Sequence, residues 1–156
     1  MAFDIYAVVG GVYSGDHYPN QLFANPGHTN HWLKLRLSGV QSNRLAVGAR
    51  VKVVVQTGSG EREIHRVVTT GGSFGSNPLG LEIGLGQATK ISRVEIFWPV
   101  TGKTQVHEGL EMNRTYAISE GDTVVKEIAL RGFAWPAGGE TPNQHQHQAH
   151  GHGSAH

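Results

Sequence analysis

From His31 onward the chain alternates. Leu33, Leu35 and Leu37 are separated by Lys34 and Arg36, and Val51, Val53 and Val55 are interleaved with Lys52 and Val54 after Arg50. A period of two sends successive side chains to opposite faces of a pleated strand, so each run predicts a strand with one face buried. Trp32 falls on the polar parity of its strand. Thr57-Gly-Ser-Gly60 supplies a turn into Glu61–Thr70, which predicts a hairpin with a four-residue loop. Ile91–Trp98 is the most strand-like segment, with Val94, Ile96 and Trp98 on one parity and Pro99 as its stop.

Leu81–Leu85, Lys103–His107, Arg114–Ile118 and Thr123–Leu130 extend the series, punctuated by Thr101-Gly102 and Glu120-Gly-Asp122. Earlier, Asp4–Gly11 and Asn20–Ala24 read as two short strands around a Gly/Ser/Asp/Pro loop. No ten-residue window keeps apolar residues at i, i+3, i+4 and i+7 between helix caps. Roughly eight to ten short strands without helices predict an all-β fold, an antiparallel β-sandwich. Its layers are expected to meet through Leu33, Leu35, Leu37, Val51, Val53, Val55, Val94, Ile96 and Trp98.

The character changes after Trp135. Pro136–His156 carries Gly, Gln, Pro and five of the ten histidines but no large aliphatic residue. Such a segment cannot offset its ordering entropy by burial, so a disordered tail is expected. The predicted organisation is an N-terminal arm over 1–24, a sandwich over 25–132 and a His-rich tail over 133–156.

Composition narrows the functional classes. A length of 156 residues suits one domain, and 22 glycines favour strands joined by tight turns. The absence of cysteine excludes disulfides, thiolate metal sites, iron–sulfur clusters and a cysteine nucleophile. Thirteen basic and twelve acidic residues leave a net charge of +1, so no global field steers the chain to nucleic acid or an anionic membrane. No apolar run approaches the length of a membrane span, and Asp4 interrupts the start before a signal-type apolar region develops. Neither a span nor an export signal is therefore expected.

The tail concentrates one kind of chemistry. His145, His147, His150, His152 and His156 offer neutral imidazoles suited to copper, zinc or nickel. They predict metal binding without the fixed geometry that catalysis requires. Gly71-Gly-Ser-Phe-Gly75 matches the G-x-S-x-G elbow, which would make Ser73 a nucleophile. Asn77-Pro78 blocks the helix that the elbow needs, so a glycine-rich loop is expected instead. Gly84-Leu-Gly86 begins a dinucleotide fingerprint but lacks its third glycine and its helix.

Lys34, Arg36, Arg50 and Lys52 share parity and would form a basic strip beside Trp32 if their strands were neighbours. Single-stranded nucleic acid is the weaker alternative this raises; Glu61, Glu63 and Glu95 and the near-zero total charge argue against it. Ser42-Asn-Arg44 and Gly48-Ala-Arg50 place two guanidinium groups around a turn, suited to binding carboxylates or tying carbonyls together. The carboxylate pairs Glu61/Glu63 and Glu108/Glu111 and the acceptor triplet Asn113-Arg-Thr115 are patterns that arise often by chance.

Several ordered motifs carry a family resemblance. Asn25-Pro-Gly-His-Thr-Asn-His-Trp-Leu33, Ser42-Asn-Arg44, Gly48-Ala-Arg-Val51, Gly72-Ser-Phe-Gly-Ser76, Ile83-Gly-Leu-Gly86 and Val94-Glu-Ile-Phe-Trp-Pro99 resemble the ASPIC/UnbV domain family over about residues 25–118. In that family the domain usually follows FG-GAP or VCBS-type propeller repeats in secreted or cell-surface proteins. Asp4–Gly11 and Leu22–Asn25 look like the end of such a repeat, although its acidic calcium-binding loop is absent, so no calcium site is carried over. The resemblance implies a non-catalytic extracellular or envelope-associated module that binds a protein or glycan or packs on a propeller. Candidate ligand contacts are Trp32, Arg44, Arg50, Ser73 and Phe74, no cofactor is required, and exposed apolar residues in 1–24 predict self-association.

Overall fold

In a computed structural model, the described residues are 4–10, 18–71 and 78–130. They contain ten strands: β1 Ile5–Ala7, β2 Gln21–Phe23, β3 His31–Ser38, β4 Arg50–Thr57, β5 Gly60–Val67, β6 Leu81–Gly86, β7 Lys90–Trp98, β8 Lys103–His107, β9 Arg114–Ser119 and β10 Lys126–Glu127. The strands form a two-stranded sheet β1-β2 and two four-stranded sheets, ordered β10-β9-β3-β6 and β5-β4-β7-β8. Among the described residues no helix is long and apolar enough to cross a membrane.

The two larger sheets share one core. Leu33 and Leu35 of β3, Leu81, Ile83 and Leu85 of β6, and Tyr116 and Ile118 of β9 cluster with Val51, Val53 and Val55 of β4 and with Ile91, Val94, Ile96 and Trp98 of β7. The parity read from the sequence is the parity that enters this core, with Leu37 only partly covered at the end of its strand and Val54 buried on the opposite face of β4. Removing these side chains from water is the main stabilising contribution, about 1.5–3 kcal/mol for each large aliphatic residue.

Four features differ from the alternation pattern. Ile91 is out of phase with Val94, Ile96 and Trp98, yet all four are buried, because the β4–β7 register slips between Val54 and Val55. Val54 pairs with Arg93 and Val55 with Ile91, leaving Ser92 as the extra residue of a bulge that restores the phase. The β4–β5 hairpin loop has two residues rather than four, since Thr57 pairs with Gly60 across Gly58-Ser59. Gly60 at φ +117° permits the tight reversal, and Thr57 Oγ1 donates to the Gly60 carbonyl at 2.8 Å.

The third difference lies at the other end of the chain, where only Lys126 and Glu127 of the expected Thr123–Leu130 strand join the ladder on β9. The fourth is topological. Every ladder is antiparallel except β3–β9, where Leu33 to Ser38 run parallel to Arg114 to Ser119 in the middle of the sheet.

Candidate functional site

The outward face of β3 and β6 carries a cleft of about 460 Å³. Because Leu33 and Leu35 face the core, Trp32 and Lys34 face outward, opposite Gly84 and Glu82 of β6. Lys34 Nζ donates to Glu82 Oε1 at 2.6 Å and forms one wall. Beside it the floor is bare, since a Cβ added at Gly84 would meet nothing within 4 Å. The β3–β6 register slips between His31 and Trp32, and Gly86 takes φ +60° beside this irregularity. Two glycines thus leave backbone exposed where side chains would otherwise fill the space next to an aromatic ring.

Arg62 supplies the opposite wall from the other sheet. It pairs with Val55 and so projects toward the core side of β5, an edge strand. From there it reaches the edge of β6, where Nη2 donates to the Leu85 carbonyl at 2.6 Å. An inward-pointing charge on an edge strand also discourages pairing with another chain. Asn25, His28, Asn30 and His31 complete the lining. Gln87 Nε2 closes their loop by donating to Asn30 Oδ1 at 2.7 Å and Thr29 Oγ1 at 3.3 Å.

Trp32 is fixed from below by Asn113. The Asn113 amide donates to the Trp32 carbonyl, Asn113 Oδ1 accepts the Trp32 N–H, and Asn113 Nδ2 lies 2.9 Å from His31 Nδ1. Asn113 occupies φ +61°, a left-handed conformation that asparagine tolerates better than most residues. Its side chain is thereby committed, and Thr115 is 1% exposed, so the folded domain does not present the Asn113-Arg-Thr115 triplet as a glycosylation acceptor.

A second polar centre lies at the opposite end of the sheets and is structural. Glu120 Oε2 accepts the successive amides of Val40, Gln41 and Ser42 at 2.7–2.8 Å, while Oε1 accepts Ser42 Oγ at 2.8 Å and Thr101 Oγ1 at 3.1 Å. Desolvation alone would raise this carboxyl, but the bonds from Ser42, Val40 and Gln41 outweigh it and hold the pKa down at about 2. The close turn requires Gly39, because a Cβ there would collide with the carbonyl oxygens of Asn43 and Ser42.

The outer face of β4, β5 and β7 holds a charge network. Lys52 Nζ lies 2.9 Å from Glu95 and 3.6 Å from Glu63, and Arg93 Nε lies 2.8 Å from Glu95. Hydrogen bonds from Lys52 and Arg93 hold the Glu95 carboxyl below its usual range, and the bond to Glu95 raises Lys52. The Arg50 guanidinium lies 4.3 Å from the centre of the Phe97 ring.

Of the described residues singled out as ligand contacts in the sequence, Trp32 lines this cleft and Arg44 and Arg50 do not. Trp32 lies on the outer face of one sheet, Arg50 belongs to the other sheet, and Arg44 is exposed on the 39–49 loop. The basic strip does not form, because Lys34 and Arg36 belong to one sheet and Arg50 and Lys52 to the other. Ser73, Phe74 and the histidines at 145, 147, 150, 152 and 156 lie outside the described residues. Arg62, Gly84 and Asn113 were not read as ligand-site residues. Gly84 stood out in the sequence within Gly84-Leu-Gly86 and Asn113 within Asn113-Arg-Thr115, but neither pattern pointed to this cleft.

An all-β module built from two four-stranded sheets, with an aromatic cleft on one outer face, is the class these features define. Residues 39–125, more than half of the chain, match the family described as ASPIC and UnbV, and the chain belongs to that family. Arg62, Gly84, Gly86 and Asn113 fall within the matched stretch, and Trp32 precedes it. Comparison with curated proteins returned no match.

Proposed function

We propose that the chain is a non-catalytic binding module that takes a glycan, or a segment of protein, in the Trp32 cleft. The observation that carries this reading is the pairing of outward-facing Trp32 with Gly84, which leaves an open floor beside an aromatic residue whose backbone is held by Asn113. Such a platform suits the flat apolar face of a sugar ring, with the amides of Asn25 and Asn30 and the Lys34–Glu82 pair available to its hydroxyls. An extracellular or envelope setting and an adjacent propeller belong to the same reading and rest on the family resemblance.

A glycan screen on the intact chain, followed by calorimetry on the best binder, tests it. Trp32→Ala is expected to weaken binding by up to about tenfold, in line with a loss of about 0.5–1.5 kcal/mol on removing an aromatic stacking partner. Unchanged affinity in this variant would remove the cleft from consideration.

A further inference from the structure

We infer that the ligand of the Trp32 cleft is an acidic saccharide, a sugar bearing a carboxylate that lies against Arg62; this rests on the reading of the cleft as a ligand site. Arg62 is the one charge in the lining without a countercharge among the described residues, because Lys34 and Glu82 neutralise each other at 2.6 Å. Its guanidinium makes one hydrogen bond among the described residues, from Nη2 to the Leu85 carbonyl. That bond orients the planar fork and leaves further N–H groups for a carboxylate, the partner whose geometry the fork matches. The guanidinium sits over Gly86, where an added Cβ would lie 3.6 Å from Nη2, and the floor is open at Gly84, where an added Cβ would touch nothing. An aromatic ring and a fixed cation therefore flank a bare floor, so one ligand ring can stack while its acid group pairs.

A saccharide fits better than an acidic peptide. A peptide adding to β6 needs free carbonyls at that end of the strand, and the Leu85 carbonyl already accepts both Arg62 and the Ala88 N–H. The remaining lining, with Asn25, Asn30, Lys34 and Glu82, mixes donors and acceptors as ring hydroxyls require.

The test compares trigalacturonate, its methyl ester and triglutamate by calorimetry on the full chain at low salt. Trigalacturonate is expected to bind about tenfold or more tightly than the ester, the scale of a charge-assisted contact. Arg62→Gln is expected to bring that ratio to about one with the ester unaffected. Gly84→Asp sets a carboxylate on the open floor without touching the Arg62–Leu85 bond, so it should also abolish the preference even if Arg62→Gln does not fold. Equal binding of acid and ester by the natural chain, or a preference that survives both substitutions, overturns the acidic assignment while leaving the cleft in place. Triglutamate binding as tightly as trigalacturonate overturns the saccharide class. Failure of both saccharides to bind overturns the acidic-saccharide assignment, and Trp32→Ala leaving the binding of both unaffected overturns the cleft reading itself.

Discussion

Asn113 holds Trp32 by both backbone groups, donating its own amide to the Trp32 carbonyl at 2.7 Å and accepting the Trp32 N–H on Oδ1 at 3.2 Å. The left-handed backbone at Asn113 costs about 1 kcal/mol, and the paired bonds retain it. Asn113→Ala raises that cost and loses the side-chain bonds, so a stability loss of about 1–2 kcal/mol is expected in urea titration. Asn113→Gly removes the conformational cost and should be milder. Both should weaken cleft binding alike, because both lose the Oδ1 bond to the Trp32 N–H.

Acid should act in two stages, read from the urea midpoint as pH is lowered. His107 is 6% exposed, and burial holds its pKa below the ordinary 6.5. With Nε2 unprotonated, the ring accepts from Gln105 Nε2 at 2.9 Å, and a proton would remove that acceptor. The unfolded chain protonates first, so this contribution is complete above pH 6.5 and is lost as pH falls toward the lower folded value. Glu120 follows. Its contribution is present above pH 4.5 and is lost on the way down to about 2. Glu120→Gln should lower stability at neutral pH and flatten the second stage. A second stage unchanged in that variant would show that other carboxylates carry it.

The N-terminal arm exposes Ile5, Tyr6, Leu22 and Phe23 on a two-stranded sheet of three residues a side. Isolated pairs of this size are marginal in water, and apolar strands without a cover invite another chain. The intact protein is expected to sediment as more than a monomer, and removal of residues 1–24 to yield the monomer. An unaltered sedimentation coefficient distribution after the deletion, apart from the mass removed, would contradict this.

The histidine-rich tail is expected to bind copper, zinc or nickel through His145, His147, His150, His152 and His156. Affinity in calorimetric titration should fall as pH drops through about 6.5, where free imidazoles take up protons. A chain ending at Gly139 should lose the binding. Full affinity in the shortened chain would place the ligands elsewhere.

Strand existence was legible because burial on one face imposes a two-residue period, and the expected segments for β3, β4, β6 and β9 lie within a few residues of the observed strands. Phase was harder. The parity of Ile91 against Val94 and Ile96 breaks at a bulge that no residue type announces, since Ser92 is ordinary in either setting. The cleft was half legible: Trp32 stood on the outer parity, but Arg62 reaches it from the opposite sheet, and sheet order is a long-range property. Glu120 looked like a turn residue. Its five partners come from two other loops, which sequence spacing does not bring together.

The parallel pairing of β3 with β9 ties the cleft to chain completion. Trp32 and Asn113 are 81 positions apart, and β3 gains its second neighbour only when β9 is available. Closing so long a loop is entropically slow, so assembly of this sheet should trail local hairpins such as β4–β5. During synthesis, recognition by the aromatic platform would therefore switch on late. A product truncated before residue 113 would display Trp32 on an unsupported edge, where it invites aggregation and chaperone capture rather than ligand.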